Sequence, residues 1–392
     1  MKNVIGQPAR GEDFYKRTRE VEQISESLSN GNNLQITAPR RVGKTSILWY
    51  LLDNDVEKRI YVYVDTESVD NEEDFYKKLL SEILRNENVI SSKKLLKAFA
   101  EKSNDFFKKI KGFNFLGNGI ELNHDESGKN HYDELFNFLT GYAQSEDIEL
   151  AILVDEFPQT IENIKKHNED TAIKFLQSNR ELRINPKLKG KVKFIYTGSI
   201  GLNDTVAKLS ATSTINDLHS IDIGPLKREE AIDLFTKLLG TKERTTNNNA
   251  NDYLLAKIQW FIPFHIQLIV QEVTNQTEKG PEITKEIIES SIESIIDLRN
   301  QNHFDHYFSR LKTQFKGDEF KYADELLKII AKQDVINKAE AFDLSIKYSV
   351  EERHKRILQT LMYDGYINVI KDSSNYQFNS PIVKLWWLKF IC

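Results

Sequence analysis

One segment, residues 38–46 (APRRVGKTS), restricts the possible folds of this chain more than any other feature. It follows a short apolar stretch, residues 33–38 (NLQITA), and opens a longer one, residues 45–54 (TSILWYLLDN). A buried strand, a tight turn and a helix in that order direct backbone N–H groups towards a bound anion. The segment therefore predicts a phosphate-binding loop in an α/β fold.

The residue types in this loop suit a nucleoside triphosphate. Gly43 lets the backbone approach the phosphates, Lys44 reaches the β- and γ-phosphates, and Thr45 offers a hydroxyl to Mg²⁺. The usual pattern opens with glycine, and Ala38 takes that place here, but the intact GKTS favours a true P-loop over a chance turn before a capped helix. We predict nucleotide contacts from Pro39, Arg40, Arg41, Val42, Gly43, Lys44, Thr45 and Ser46.

An apolar stretch that ends in two carboxylates, residues 151–156 (AILVDE), is the expected companion of such a loop. Asp155 would hold Mg²⁺ through water together with Thr45, and Glu156 would polarise the attacking water as general base. Such a string is weak evidence alone, because Asp and Glu also end many strands as helix caps. Combined with the loop, it predicts an ATPase with a catalytic glutamate rather than a nucleotide kinase.

Two hydroxyl side chains follow the next apolar stretch, in residues 196–199 (YTGS). Thr197 or Ser199 could hydrogen-bond the γ-phosphate or the attacking water. A loop that only caps the following helix explains the pattern equally well. The predicted catalytic set is Glu156, Lys44 and Ser199.

Further short apolar stretches, separated by helical segments, predict an α/β fold with a mostly parallel sheet. A helix is expected at residues 72–85, and strands are expected at residues 59–65, 150–154, 192–196 and 220–223. Residues 90–131 look like an insertion, with a basic amphipathic segment at 93–111 and a hairpin-like segment at 113–122. The insertion could bind a partner, but a peripheral addition to the sheet is the favoured interpretation.

The pattern turns helical after Pro225, with amphipathic segments at residues 227–239 and 252–277. Near the end, helices are followed by two short strand-like segments, residues 365–370 and 376–379, which suggests a winged helix with a two-stranded wing. We predict three domains: a P-loop ATPase core at residues 1–225, a helical lid at 226–298 and a winged-helix domain at 299–392.

Composition excludes several classes of protein. A single cysteine, Cys392, rules out an internal disulfide framework and a cysteine-rich zinc site, and it fits a reducing cytosol. The net charge of −5 gives no global basic character that would indicate nucleic acid. No apolar segment is long enough for a signal peptide or a membrane span, so we expect a cytoplasmic protein without a membrane partner.

Taken together, the motifs resemble those of an archaeal-type P-loop ATPase of the STAND class, a relative of the AAA+ ATPases. The loop is similar to the family's PRRxGKTSL, residues 153–157 (LVDEF) to its Walker B motif, and residues 194–202 (FIYTGSIGL) to its sensor strand. Arg17 matches the family's N-terminal box, although Lys16 stands where glycine is usual. Pro225 matches the proline at which the family's helical lid begins.

The resemblance implies ATP or ADP and Mg²⁺ as ligands, with Arg17 and Pro225 close to the base. It also implies a helical lid and a winged helix folded against the nucleotide, and a switch in which ADP holds a closed state and ATP an open or assembled one. ATPases of this kind often need an arginine near the γ-phosphate. Arg180, Arg183, Arg40 and Arg41 are candidates, but a solvated charged helix is the slightly favoured interpretation for each.

Two functions remain open. The first is a slow Mg²⁺-dependent ATPase that works as a molecular switch and signals through a protein partner or a further copy of itself. The alternative is an ATP-gated DNA-binding factor of origin-recognition or transcription-regulator type. The expected recognition helix, residues 351–364, favours the first, because its basic residues are balanced by acidic ones.

Overall fold

A computed structural model describes residues 1–54, 59–90, 131–188, 190–280, 282–371 and 373–392. The segments expected at residues 93–111 and 113–122 of the insertion lie outside these ranges. The chain forms two compact units. We call them the sheet unit (Lys16–Thr37 and Lys44–Ile223) and the C-terminal unit (Met1–Tyr15, Ala38–Gly43 and Gly224–Cys392). The division into three domains stays a prediction.

The sheet unit is built on parallel strands that end at one edge. The strands are β1 Asn33–Thr37, β2 Arg59–Asp65, β3 Glu149–Asp155, β4 Val192–Tyr196 and β5 Leu218–Asp222. Their order is β2-β3-β4-β1-β5, and every neighbouring pair is parallel. The predicted α/β fold class is therefore confirmed. Because β4 lies between β1 and β3, the strand that leads into the loop and the strand that ends in two carboxylates share a neighbour.

The helices of the sheet unit cover the sheet with apolar faces. They are α1 Thr18–Ser29, α2 Lys44–Asp53, α3 Glu72–Arg85, α4 Glu87–Ile90, α5 His131–Ser145, α6 Phe157–His167, α7 Glu169–Ile184 and α8 Leu202–Ala207, followed by the 3₁₀ turn Thr212–Ile215. Phe75, Phe157 and Phe175 pack with ring centroids 4.9 to 5.7 Å apart. This core fixes α6 against its neighbours, and so fixes the junction at which β3 ends and α6 begins.

The C-terminal unit is mainly helical. Its helices are α9 Arg228–Gly240, α10 Asn248–Ile258, α11 Pro263–Gln276, α12 Lys285–Ile295, α13 Asp305–Gln314, α14 Gly317–Gln333, α15 Lys338–Lys347, α16 His354–Tyr363 and α17 Pro381–Phe390, with 3₁₀ turns at Gly11–Asp13, Leu298–His303 and Glu351–Arg353. Its short strands are β6 Thr245–Thr246, β7 Glu282–Ile283, β8 Val335–Ile336, β9 Ile367–Val369 and β10 Tyr376–Phe378. In the part of the chain that the structure describes, no helix is long and apolar enough to cross a membrane.

The amphipathic segment at residues 252–277 is divided in the structure between two helices, α10 and α11. Gln259 follows the last residue of α10 and has a φ of 52°. A right-handed helix requires a negative φ, so α10 ends there. Pro263 then opens α11 at a position where its missing N–H costs nothing. The break places Phe264 and His265 in the first turn of the new helix.

The small C-terminal sheet has a strand that the sequence did not reveal. β10 pairs antiparallel with β9, as expected for a two-stranded wing, and also with β8, which lies before α15. A strand of two residues is too short to show the alternation by which strands are recognised. Helices followed by this sheet are compatible with a winged helix, which stays a prediction.

Candidate functional site

Thr45 and Asp155, the two predicted Mg²⁺ ligands, lie side by side in the sheet unit. Thr45 is in the first turn of α2, and Asp155 is the last residue of β3. The Thr45 hydroxyl donates to Oδ2 of Asp155 at 3.1 Å, and the Tyr63 hydroxyl donates to the same oxygen at 3.1 Å. Lys44 is buried at the start of α2, and its charge acts on Asp155. The structure thus brings the predicted lysine, hydroxyl and carboxylate together.

The Asp155 carboxyl is only 4% exposed, and its burial raises its pKa. The adjacent Glu156 carboxylate raises it further, while hydrogen bonds from Thr45 and Tyr63 and the charge of Lys44 oppose the rise without cancelling it. A buried anionic oxygen beside a threonine hydroxyl is the kind of hard-oxygen donor set that Mg²⁺ takes. The ion's charge would also offset the cost of burying the carboxylate. Thr45 and Asp155 therefore fit the predicted ion.

Glu156 follows directly and adopts the left-handed conformation, with φ 57°. The backbone N–H and the hydroxyl of Ser199 both donate to its Oε2, each at 2.9 Å. Gly198 makes this approach possible, because a Cβ there would lie 2.7 Å from Cδ of Pro158 and 3.4 Å from the same carboxylate oxygen. Two residues that the sequence placed on different strands, Glu156 and Ser199, are therefore in direct contact.

Thr197, the other hydroxyl candidate, is buried between the strand ends. Its N–H donates to the Val154 carbonyl at 3.0 Å, and its carbonyl accepts from the Phe157 N–H at 3.1 Å. Its hydroxyl has no hydrogen-bond partner among the described residues. Thr197 thus joins β4 to the β3–α6 junction, and Ser199 is the hydroxyl that contacts Glu156.

The loop Ala38–Gly43, which belongs to the C-terminal unit, contains two left-handed residues. Their φ angles are 67° at Arg41 and 97° at Gly43. Left-handed residues in a turn can direct successive N–H groups towards one point, as anion-binding nests do. Glycine adopts this conformation freely, whereas a residue with a Cβ pays about 1–3 kcal/mol of strain. Arg41 therefore needs something in its surroundings to keep it there.

Aromatic side chains of the C-terminal unit surround Arg41. Its guanidinium carbon lies 4.2 Å from the ring centroid of Phe264, and burial lowers its pKa. Burial, and secondarily the charge of Arg41, lower the pKa of His265 and of His306 to about 3. Burial also raises the pKa of Tyr307 to about 12. At neutral pH these three neighbours are uncharged, so none of them repels the arginine.

The other predicted residues occupy varied environments. Arg17 is buried and pairs at 2.9 Å with the carboxylate three residues further along α1, and Pro225 is exposed between β5 and α9. Arg183 is buried and donates twice to Asp217, at 2.8 and 2.9 Å, so its guanidinium holds a structural partner. Arg180 lies 3.8 Å from the same carboxylate. Their roles at the nucleotide stay predictions.

Sequence reasoning missed Tyr63 and Phe264. Tyr63 had a usable signal, because alternation along β2 puts it on the same face as Asp65, at the edge where the neighbouring β3 also ends. Phe264 had none, since nothing in the sequence of α11 relates it to a loop so far away in the chain.

Two solved structures resemble this chain over nearly its whole length. The Walker-type ATPase PABY2304 of Pyrococcus abyssi is 17% identical, with 98% of this chain and 99% of that chain covered and a TM-score of 0.66. The chain has a P-loop NTPase fold. The ORC2 protein of Aeropyrum pernix, solved in ADPNP–ADP complexes, is 11% identical, with 97% of each chain covered and a TM-score of 0.55. No protein-family model and no curated protein matches the chain.

Proposed function

We propose that this protein binds ATP with Mg²⁺ and hydrolyses it slowly, as the nucleotide-dependent switch of a STAND-type ATPase. The observation that carries the proposal is the contact between Thr45 and Asp155 at 3.1 Å, beside the buried Lys44. A hydroxyl, a buried carboxylate and a lysine at the start of a helix that follows a P-loop sequence are the groups that a Mg²⁺-nucleotide needs. The fold that this chain shares with Walker-type ATPases supports the same conclusion.

Each group has a task in this proposal. Lys44 binds the β- and γ-phosphates, and Mg²⁺ held by Thr45 and Asp155 would neutralise charge on the phosphate oxygens. Glu156 accepts a proton from the attacking water. Ser199 donates twice to Oε2 of Glu156, which orients the carboxylate and directs Oε1 to the water. Arg17 and Pro225 lie near the base in the families that this sequence resembles, and we keep that assignment as part of the proposal.

The output of the switch is a protein contact, made with a different protein or a second copy of this chain. ADP would favour the closed state of the lid and winged helix, and ATP an open or assembled one. The balanced charge of the predicted recognition helix supports a protein-facing role. Within the C-terminal unit, Arg353 and Arg356 both pair with Glu319, at 2.9 and 2.6 Å, so the basic groups that would face DNA phosphates already hold an acidic neighbour. A cytoplasmic location stays a prediction.

Replacing Lys44 tests nucleotide binding directly. In Lys44→Ala we expect loss of measurable affinity for a fluorescent ATP analogue, and loss of the thermal shift that a saturating Mg-nucleotide gives the wild type. A ligand at a hundredfold excess over its Kd stabilises the folded state by about 2.7 kcal/mol, which a melting scan resolves. Lys174→Ala, at an exposed lysine on α7, is the matched control and should bind as the wild type does.

Glu156→Gln separates hydrolysis from binding. The amide keeps the shape of the side chain and cannot take the proton, so ATP affinity should remain while single-turnover hydrolysis falls roughly a hundredfold or more.

Unchanged affinity in a folded Lys44→Ala protein would remove the nucleotide assignment. Full hydrolysis in Glu156→Gln would leave the nucleotide site in place and move the base to another residue.

A further inference from the structure

Arg41 stands where a phosphate-binding loop with a left-handed turn would ordinarily use glycine. Its φ of 67° lies in the region that residues with a Cβ avoid, and Gly43, two residues later, has a φ of 97°. A left-handed residue that is not glycine persists only when its surroundings hold it. The residues around Arg41 must therefore hold it in this conformation.

Arg41 contacts the aromatic ring of Phe264, in the first turn of α11 of the C-terminal unit. The guanidinium carbon lies 4.2 Å from the centre of the Phe264 ring, a distance at which a cation and an aromatic face attract each other. Phe264 is only 5% exposed, and the ring of His303 packs against it edge-on, with centroids 5.6 Å apart. Pro263, at the first position of α11, fixes the backbone just before Phe264. Contacts other than the one with Arg41 therefore hold the Phe264 ring in place.

Pro39, two residues before Arg41, also lies close to a later segment of this unit. A Cβ added at Gly365, which follows α16, would come within 3.2 Å of the Cβ of Pro39. The loop therefore packs on both sides of Arg40, where the Pro39 ring lies close to Gly365 and the Arg41 guanidinium stacks on Phe264.

We propose that Phe264 is a positioning residue for nucleotide binding: by stacking on Arg41 it keeps the phosphate-binding loop in the left-handed conformation that directs its N–H groups to the phosphates. Arg41 then acts as a strut between the loop and α11. Its guanidinium makes a cation–π contact with the Phe264 ring and does not bind a phosphate. The inference rests on the proposed function, because it assumes that the loop binds a nucleotide.

A double-mutant cycle between Phe264 and Arg41 tests the strut. Phe264→Ala removes the ring, so Arg41 loses its support and the affinity for Mg-ADP should fall about tenfold, equivalent to 1.4 kcal/mol. In an Arg41→Gly background the same Phe264→Ala change should cost less than about twofold, because glycine adopts a positive φ unaided. Arg41→Gly alone gives the reference affinity for the second arm of the cycle, and the result is the difference between the two losses caused by Phe264→Ala.

The proposal is overturned if Phe264→Ala binds Mg-ADP as tightly as the wild type does. It is also overturned if Phe264→Ala lowers the affinity equally in the Arg41→Gly background. Loss of all binding in Arg41→Gly alone would overturn it too, because Arg41 would then be a phosphate ligand. If Phe264→Ala does not fold, Phe264→Leu takes its place in the cycle, since it keeps the bulk and removes the aromatic face. Wild type and Lys44→Ala are titrated alongside. Absence of nucleotide binding by the wild type would sink the proposed function itself, which distinguishes that failure from failure of the strut.

Discussion

The charge of Asp155 is costly to the nucleotide-free protein. Burial and the neighbouring Glu156 raise its pKa above the value in the unfolded chain, so between those two pKa values the folded state binds more protons than the unfolded state does. The free energy of unfolding therefore falls as the pH rises through that window, and the cost is present in full above the folded-state pKa. A bound Mg²⁺ would remove much of this cost, which links the metal to stability as well as to catalysis.

Asp155→Asn should accordingly make the nucleotide-free protein more stable at pH 7, because the amide carries no charge and its oxygen still accepts from Thr45 and Tyr63. Its NH2 group loses only the bond that Oδ1 accepts from the Glu156 N–H at 3.0 Å. The gain should shrink as the pH is lowered from the raised pKa of the folded state to the pKa of the unfolded chain, because the wild-type carboxyl takes up its proton in that window. The same variant should lose at least about tenfold in Mg²⁺-dependent nucleotide affinity. Urea unfolding at several pH values, with Asp343→Asn on the exposed face of α15 as control, measures the first effect, and titration with and without Mg²⁺ the second. A nucleotide-free variant less stable than the wild type at pH 7 would contradict this account.

At the scale of elements, the register of the parallel sheet brings two of the three catalytic candidates, Glu156 and Ser199, together. Val154 on β3 is opposite Tyr196 on β4, so the residues that follow the two strands meet at the same edge. There Ser199 donates to Glu156, and Gly198 leaves room for it. The contact between Glu156 and Ser199 therefore depends on the pairing of both strands.

Ser199→Ala should lower kcat for ATP hydrolysis roughly tenfold and leave KM nearly unchanged. The backbone N–H still donates to Glu156, but the carboxylate loses the hydroxyl that completes its orientation. Ser199→Thr keeps a hydroxyl and should retain most of the wild-type rate. Steady-state kinetics decide the point. A rise in KM at constant kcat would instead indicate that Ser199 binds the phosphate.

The sequence predicted this edge well because its signals are local. β2, β3 and β4 are largely apolar, Thr45 lies directly after the GK of the loop, Asp155 ends β3, and Ser199 lies three residues after β4. Contacts between segments far apart in the chain have no local signal in the sequence. The break before α11 depends on the conformation of Gln259, and the stacking of Phe264 on Arg41 joins residues from segments far apart in the chain. Pairings of this kind arise from packing, which one sequence does not display.

Charge over the whole molecule argues against DNA as the main partner. The chain carries 54 basic and 59 acidic residues, and the arginines of the expected recognition helix are paired with Glu319. Proteins that bind DNA through several phosphate contacts show affinity that falls steeply with salt.

We therefore expect dissociation constants weaker than about 1 µM for random and genomic duplexes at near-physiological salt, in both the ADP and the ATP state. Fluorescence anisotropy with labelled duplexes is the measurement, and Lys174→Ala serves again as the control. Tight, sequence-selective binding that Arg353→Ala and Arg356→Ala abolish would overturn this expectation and promote the DNA-binding alternative.

The position of the loop in the chain has a consequence for biosynthesis. Ala38–Gly43 leaves the ribosome long before Phe264 and Gly365, against which Arg41 and Pro39 pack. Chains emerge at about 5–20 residues per second, and early segments often fold first. All residues of the sheet unit have been made once the chain reaches Ile223, whereas Phe264 is made later. With the role proposed for Phe264, a nascent chain that ends before α11 would bind Mg-nucleotide about tenfold more weakly than the complete protein.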